Sequence, residues 1–392
     1  MWPFSKRAIT QGDGKVFLRD DSSWATASIG DGVTVEKAIG LPAVWAAVNF
    51  IAGTIAGLPL HIYERTGEGR KRVDSPLATM LNERANPGAT SFDWRKYSFE
   101  RVLTSGRAFT LIDRNAAGRV SGLYPLDPDM VEVVRERGRV YYRHWQNGVK
   151  VTYQAAEILD IPFMLKPDGI GHWGPVSANR NAIGLAIASE QYVGRFFQGG
   201  GVPPFIVTGN FQSGAALGRA ADDLTNAVHK AAREGRPALT LPNGLEISSV
   251  GTDMEKAQLV EVQRFQVEQV ARIYSLPPTF LQDLTHGTFS NTEQQDLHFA
   301  KHTLKRWVEQ FEQQLNLKLF RPGGRQFAEF SMDGLLRGDV KTRMEAHAHA
   351  IQNGVYSPAY AAKLENAPYH AEGDRLMIQG ATVPIATVGD AE

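Results

Sequence analysis

The sequence predicts an α+β chain of several packed units, and three observations carry that prediction. Its 392 residues exceed what one ordinary core accommodates. Hydrophobic residues make up 43% and charged residues 21%, the balance of a folded chain. Short segments of period-two alternation are interspersed with stretches of helical spacing, which calls for antiparallel sheet packed with helices.

The elements follow in order. Residues 1 to about 36 are polar and rich in glycine and aspartate, and read as a loose arm. Residues 41–60 then run without a charge and hold Gly53 and Gly57 at GxxxG spacing, the best membrane candidate in the chain. Pro42 and Pro59 leave a helix of roughly 24 Å, shorter than a bilayer core, so a helix buried on all sides in a soluble domain is expected. Residues 61–63 and 107–113 read as strands. Residues 131–135, 140–145 and 149–153 read as a meander with turns at Arg137-Gly138 and Asn147-Gly148. Helices are predicted at 75–82, opened by Ser75-Pro76, and at 92–103, capped by Ser91.

The middle of the chain is the informative part. A helix at 177–198 ends in Gly199-Gly200-Gly201. A small α/β pattern follows, with strands at 205–208, 238–241 and 245–250 around a helix at 213–234. A second helix, 253–274, lines Glu261, Arg264, Glu268 and Arg272 along one face and is stopped by Pro277-Pro278. After a polar loop, Ser290-Asn291-Thr292-Glu293 forms a capping box. The third helix it opens sets Leu297, Ala300, Leu304, Trp307, Val308, Phe311 and Leu315 at three-and-four spacing. A compact α/β excursion is thus bracketed by two helices that can hold it away from the main body. A helix to about 352, a stop at Gly354 and a short helix after Ser357-Pro358 close the pattern.

Composition and motifs remove several classes of chemistry. Lys+Arg and Asp+Glu stand at 42 each, whereas a protein that grips phosphates along its surface is usually basic. No cysteine occurs, which excludes disulfides, thiolate zinc sites, iron–sulfur clusters and cysteine nucleophiles, and fits a reducing compartment. Met1 to Arg7 has no apolar run behind it, so no signal peptide is expected. Gly169-Ile170-Gly171-His172-Trp173-Gly174 satisfies GxGxxG and offers a competing expectation, a soluble nucleotide-binding enzyme. Against it, Trp173 stands where backbone must approach a pyrophosphate, and a tight turn is the simpler expectation. There is no Walker A lysine loop and no GxSxG elbow. His347 and His349, two apart on a helix, face different ways, and His298 with His302 lacks a Glu partner motif, so surface histidines and no metal are expected.

Five collinear stretches carry a family resemblance. They are Ala43-Val44-Trp45-Ala46-Ala47-Val48 with Ile55-Ala56-Gly57-Leu58-Pro59-Leu60; Leu123-Tyr124-Pro125-Leu126-Asp127-Pro128; Asp168-Gly169 with Gly171, Gly174 and Pro175, then Phe196-Phe197-Gln198-Gly199-Gly200; Ile273-Tyr274-Ser275-Leu276-Pro277-Pro278 with Phe289-Ser290-Asn291-Thr292-Glu293; and Leu335-Leu336-Arg337-Gly338-Asp339 with Gly373-Asp374. Together they resemble the tailed-phage portal protein family, which also occurs in prophages and gene-transfer agents. The resemblance implies a portal-type multidomain subunit with an α/β wing, a helical stem, a small α/β clip and a helical crown. It implies a flexible arm at 1–39, a wing at 40–176, stem helices at 177–198 and 253–276 around a clip at 199–252, a tunnel loop at 277–290, a long wing helix and wing end at 291–330, and crown and tail at 331–392.

The function implied is structural, not enzymatic, with no cofactor. A dodecameric ring at one capsid vertex would form the channel for DNA packaging and ejection. The partners implied are the chain itself, sequence-nonspecific double-stranded DNA, the large terminase subunit, a head–tail adaptor and the major capsid protein, with no membrane. The location implied is a virion or phage-like particle assembled in the bacterial cytoplasm. Thr285, His286, Gly287, Thr288, Ser290 and Asn291 would line the channel, where small neutral groups suit sliding because each firm Lys or Arg contact must be broken at every step.

Overall fold

The structure is a computed structural model that describes residues 30–67, 69–146, 148–198, 205–209, 214–234, 245–249, 254–281, 292–332, 340–365, 367–368 and 370–378. In chain order the elements are α1 (Val35–Ile39), α2 (Pro42–Gly57), β1 (Leu60–Thr66), β2 (Gly69–Arg72), α3 (Pro76–Asn82), β3 (Arg84–Asn86), β4 (Ala89–Thr90), α4 (Ser91–Thr104), β5 (Arg107–Arg114) and β6 (Val120–Leu126). β7 (Val131–Glu136), β8 (Arg139–Gln146), β9 (Val149–Gln154), β10 (Ile158–Pro162), α5 (Pro175–Ala178), α6 (Arg180–Gln198), β11 (Phe205–Gly209), α7 (Gly214–Arg233), β12 (Leu245–Ser249) and α8 (Met254–Tyr274) follow. The chain closes with α9 (Thr292–His298), a π-helical turn at Phe299–Leu304, α10 (Lys305–Leu319), β13 (Gln326–Phe330), α11 (Val340–Gln352) and α12 (Pro358–Leu364). The mixed helix-and-strand class is the predicted one.

The chain divides into two compact units. One comprises Met1–Trp45 and Trp173–Ile273, the other Ala46–His172 and Tyr274–Glu392. In the first, α6 and α8 bracket β11, α7 and β12, the excursion predicted from periodicity. β11 and β12 pair antiparallel, Phe205 opposite Ser249 through Gly209 opposite Leu245, and α7 buries Leu224 and Ala231. The strand expected at 238–241 lies outside the described residues. Of the arm expected up to about residue 36, the described part begins at Gly30: the Thr34 hydroxyl caps α1 by accepting from the Lys37 N–H, and Gly30 sits so close to Asn181 that a Cβ there would lie 2.5 Å from its Oδ1.

Among the described residues the second unit holds three three-stranded antiparallel sheets, of strand order β13-β1-β2, β10-β5-β6 and β7-β8-β9, and the two-stranded pair β3-β4. The meander forms from the predicted strands, its first turn carried by positive φ at Arg137 and Gly138 (51° and 82°). Helices α4 and α10 share an aromatic core. Phe311 lies 5.6 Å from Trp94, 5.5 Å from Phe99 and 5.8 Å from Phe330, ring centre to ring centre, and Trp307 lies 5.2 Å from Phe163. The one polar atom of Trp94 is satisfied, its indole N–H donating to Thr110 Oγ1 at 2.9 Å.

Three expectations need correction. Helix α2 is not buried on all sides: Val44, Ala47, Val48, Ile51, Ala52, Ile55 and Ala56 are buried, but Trp45 is 58% exposed and Asn49 is also open, so one stripe faces out. Among the described residues no helix is long and apolar enough to cross a membrane. The cap of α4 is Thr90, whose hydroxyl accepts from the Asp93 N–H, while Ser91 lies inside the helix and donates to the buried Leu81 carbonyl. Leu297 is 42% exposed and Phe299 takes the core place. The π-turn inserts extra backbone between α9 and α10, which shifts the face by about one residue and breaks a periodicity that a regular helix would have kept.

Candidate functional site

The six predicted channel residues, Thr285, His286, Gly287, Thr288, Ser290 and Asn291, lie outside the described residues, as does the whole stretch 282–291. What is described is the mount from which that stretch departs and to which it returns. On the departing side α8 ends at Tyr274, fully buried, its hydroxyl donating to the Leu103 carbonyl at 3.0 Å. Burial pushes that phenol well above its ordinary range, so it stays a neutral donor. Ser275 then takes φ of 55°, a conformation that costs a non-glycine residue of order 1 kcal/mol or more. Its carbonyl accepts a hydrogen bond from the buried Thr303 hydroxyl. Leu276 is buried and Pro278–Leu281 forms a 3-10 turn.

Three phenylalanines join the two sides. Phe280 from the departing turn, Phe299 from the π-turn on the returning side and Phe50 from α2 form a triangle with ring centres 5.1, 4.9 and 5.0 Å apart. The Thr279 hydroxyl adds a 2.6 Å bond to Gln295 Oε1. The segments flanking residues 282–291 are thus tied together by three packed phenylalanines, of which Phe299 is buried and Phe50 and Phe280 are half-buried, and by Thr303 bonding to Ser275. Sequence reasoning missed Phe50, Phe280, Phe299 and Thr303. The available signal was a phenylalanine on either side of residues 282–291, Phe280 before them and Phe299 after them.

The GxGxxG turn is built for closure instead of phosphate. Asp168 Oδ1 accepts from the N–H groups of Ile170 and Gly171, both at 2.8 Å, and the Gly169 N–H donates to the Lys166 carbonyl at 2.9 Å. The amides a pyrophosphate needs are spent, and a carboxylate holds the place of the anion. Those two amides hold the Asp168 carboxyl below its ordinary range. The nucleotide-enzyme expectation is corrected on this ground.

The turn is tied down by a buried ion pair. Arg107 donates through Nε to Asp160 Oδ1 at 2.7 Å and through a terminal nitrogen to Oδ2, and its other terminal nitrogen donates to the Ile170 carbonyl. Tyr142 donates to Asp160 Oδ2 at 2.7 Å. Burial and the Asp160 charge both raise the Tyr142 phenol. Burial works against the Arg107 charge, but the hydrogen bonds and charge of Asp160 outweigh it and raise its pKa.

His298 and His302 lie with ring centres 4.5 Å apart and tilted by 44°, both exposed. His349 is exposed, but His347 is half-buried and lies 3.1 Å from Glu365, which also receives two 2.9 Å bonds from Arg343. Among the described residues no group of three His, Cys, Asp or Glu is placed to hold a metal ion. The Arg343 and His347 bonds hold the Glu365 carboxyl at about 2, below its ordinary 4.5. A depressed carboxylate contributes stability that is full above 4.5 and is lost as pH falls toward 2. Protection factors of the amides in α11 and α12 are therefore expected to fall between those values, and Glu365→Gln should show that loss of protection already at neutral pH. Unchanged protection in the variant contradicts the assignment.

Comparison with known proteins settles the family. The model of the family described as "Phage portal protein" matches residues 42–366. The "Probable portal protein" of Streptomyces phage phiC31 is 31% identical over 349 residues, covering 85% of this chain and 76% of its own. The portal protein of Enterobacteria phage HK97 is 29% identical over 372 residues, covering 90% and 85%. The fold is similar, at TM-score 0.57 and 17% identity, to a chain in the neck of a native gene-transfer-agent particle computed with C12 symmetry, covering 84% of this chain and 91% of that one. The chain belongs to the phage portal protein family.

Proposed function

We propose that copies of this chain close into a ring of twelve at one vertex of a phage or phage-like capsid, and that DNA passes through the ring during packaging and ejection. The subunit is structural, not catalytic. The observation that carries this reading is the family match across residues 42–366, supported by the C12 symmetry of the neck whose chain has this fold. Within the ring, residues 40–176 and 291–330 serve as wing, 177–198 and 253–276 as stem helices, 199–252 as clip, 277–290 as tunnel loop and 331–392 as crown and tail. The large terminase subunit supplies the force, since the sequence has no Walker A lysine loop to act as its own motor. A head–tail adaptor and the major capsid protein are the other neighbours, and assembly takes place in the bacterial cytoplasm.

The clamped mount gives the loop its task. A polar segment fixed at both ends can touch a passing duplex without being dragged along the channel. Thr285 and Thr288 make contacts that break readily, whereas a lysine adds a salt-dependent hold at each step. Replacing both by lysine (Thr285→Lys with Thr288→Lys) is expected to leave ring assembly intact and to reduce the DNA content of assembled particles; normal DNA content removes the loop from the DNA path. The ring itself is tested by native mass spectrometry, which should find twelve chains of 43.1 kDa in one species.

A further inference from the structure

The sheet of order β13-β1-β2 has one face in the core and one in solvent. Leu60, Ile62, Ala328 and Phe330 are buried on the inner face. The pairing of Tyr63 with Arg72 and Phe327, and of Arg65 with Arg70, puts all of these on the outer face. Arg325 continues that register one pair beyond β13, the Arg65 N–H donating to its carbonyl at 2.9 Å. Arg325, Arg65 and Arg70 therefore stand in a row across three strands, each next to the other, and Arg72 lies beside them.

This row costs the sheet stability, because like charges directly opposite one another repel. Protection of a sheet edge does not explain it either: charges guard edge strands, and Arg65 is on the central one. The guanidiniums are also set in place. Arg65 lies over the Phe327 ring at 5.2 Å and Arg70 over Tyr63 at 4.6 Å, with the two rings 5.8 Å apart. Stacking orders the Arg65 guanidinium and so lowers the entropy lost when it binds a phosphate oxyanion, while Arg70 is engaged with Glu329. Among the described residues two carboxylates belong to the same surface, Glu329 bonded to Arg70 and Asp74 at 3.8 Å from Arg72, against four arginines.

We propose that this face binds the phosphate backbone of double-stranded DNA without regard to sequence. An acidic protein surface fits it less well. Protein interfaces are anchored by an apolar or aromatic centre with charges at the rim, and here the aromatic rings are themselves covered by guanidiniums. A polyanion bound through phosphate contacts needs no such anchor. The overall charge balance of the chain does not oppose this, since the excess is local to one sheet face. The anionic character of the ligand rests on the face alone; the choice of duplex DNA rests on the portal reading.

The test is binding of a fluorescein-labelled 30-base-pair duplex to the full-length protein across a salt series, followed by anisotropy, with the oligomeric state of each preparation measured by sizing. Arg65→Gln with Arg325→Gln removes two guanidiniums that have no carboxylate partner among the described residues. It should weaken binding about tenfold or more at low salt and reduce the salt slope by roughly one for each arginine in contact. Arg65→Lys with Arg325→Lys keeps the charges and should keep the slope. Equal affinity and slope in the glutamine variant overturn the proposal. So does a lysine variant that behaves like the glutamine one, and so does a larger loss for poly-glutamate than for DNA, which would mark an acidic protein as the partner. Rings that bind DNA regardless of these substitutions sink this surface and leave the portal reading standing; failure to form rings sinks that reading by itself.

Discussion

Asp160→Ala should cost about 3–5 kcal/mol of folding stability, because it leaves the Arg107 guanidinium buried without its partner. The Tyr142 hydroxyl loses its acceptor at the same time, adding to the loss. The damage should spread along the chain to residues 166–172, since Arg107 also holds the Ile170 carbonyl. Replacing both charges by apolar residues of similar size, Arg107→Met with Asp160→Leu, should recover part of the loss, as removal of a whole buried pair is far cheaper than removal of one half. Urea unfolding of the three proteins decides the matter. Equal stability of the single variant and the parent contradicts the assignment, and so does a double variant no better than the single one.

The second large effect is expected at the loop mount. Phe299 is 2% exposed and contacts both Phe50 and Phe280, so Phe299→Ala removes the ring that links the two ends of residues 282–291. A buried phenylalanine cut back to alanine costs about 3–5 kcal/mol. Because the clamp is local, hydrogen exchange should rise most in Pro278–Leu281 and in the π-turn, ahead of the α4–α10 core around Phe311. Phe299→Leu, which keeps most of the volume, should lose much less. Uniform exchange across the unit would show that Phe299 is only another core residue.

How much of this was legible in the sequence depends on the range of the interactions. The β7-β8-β9 meander was readable because its turns and alternation are local, and Arg137-Gly138 supplies the positive φ such a hairpin turn demands. The bracketed α/β excursion was readable for the same reason. Strand β10 was not: four of its five residues are buried, and Asp160 sits among them as a charge that looks misplaced until Arg107 is found on β5. Strand β13 pairs with β1 across most of the chain, a partnership no local pattern announces. Of the candidate site, the helix ends flanking residues 282–291 were legible, but the mount was not, because Phe50 comes from a helix far upstream and because the π-turn shifts the helical repeat that marks core residues. The arginine row escaped for a related reason. Arg65, Arg70 and Arg325 become neighbours only when register is known.

The central claim is that identical copies of this chain enclose a channel. Electron microscopy of the purified full-length protein, viewed face-on, tests it most directly. Closed annuli with an axial hole and twelve-fold rotational averages are the result the account predicts; particles that are only single chains or open, holeless clusters under every assembly condition would contradict it.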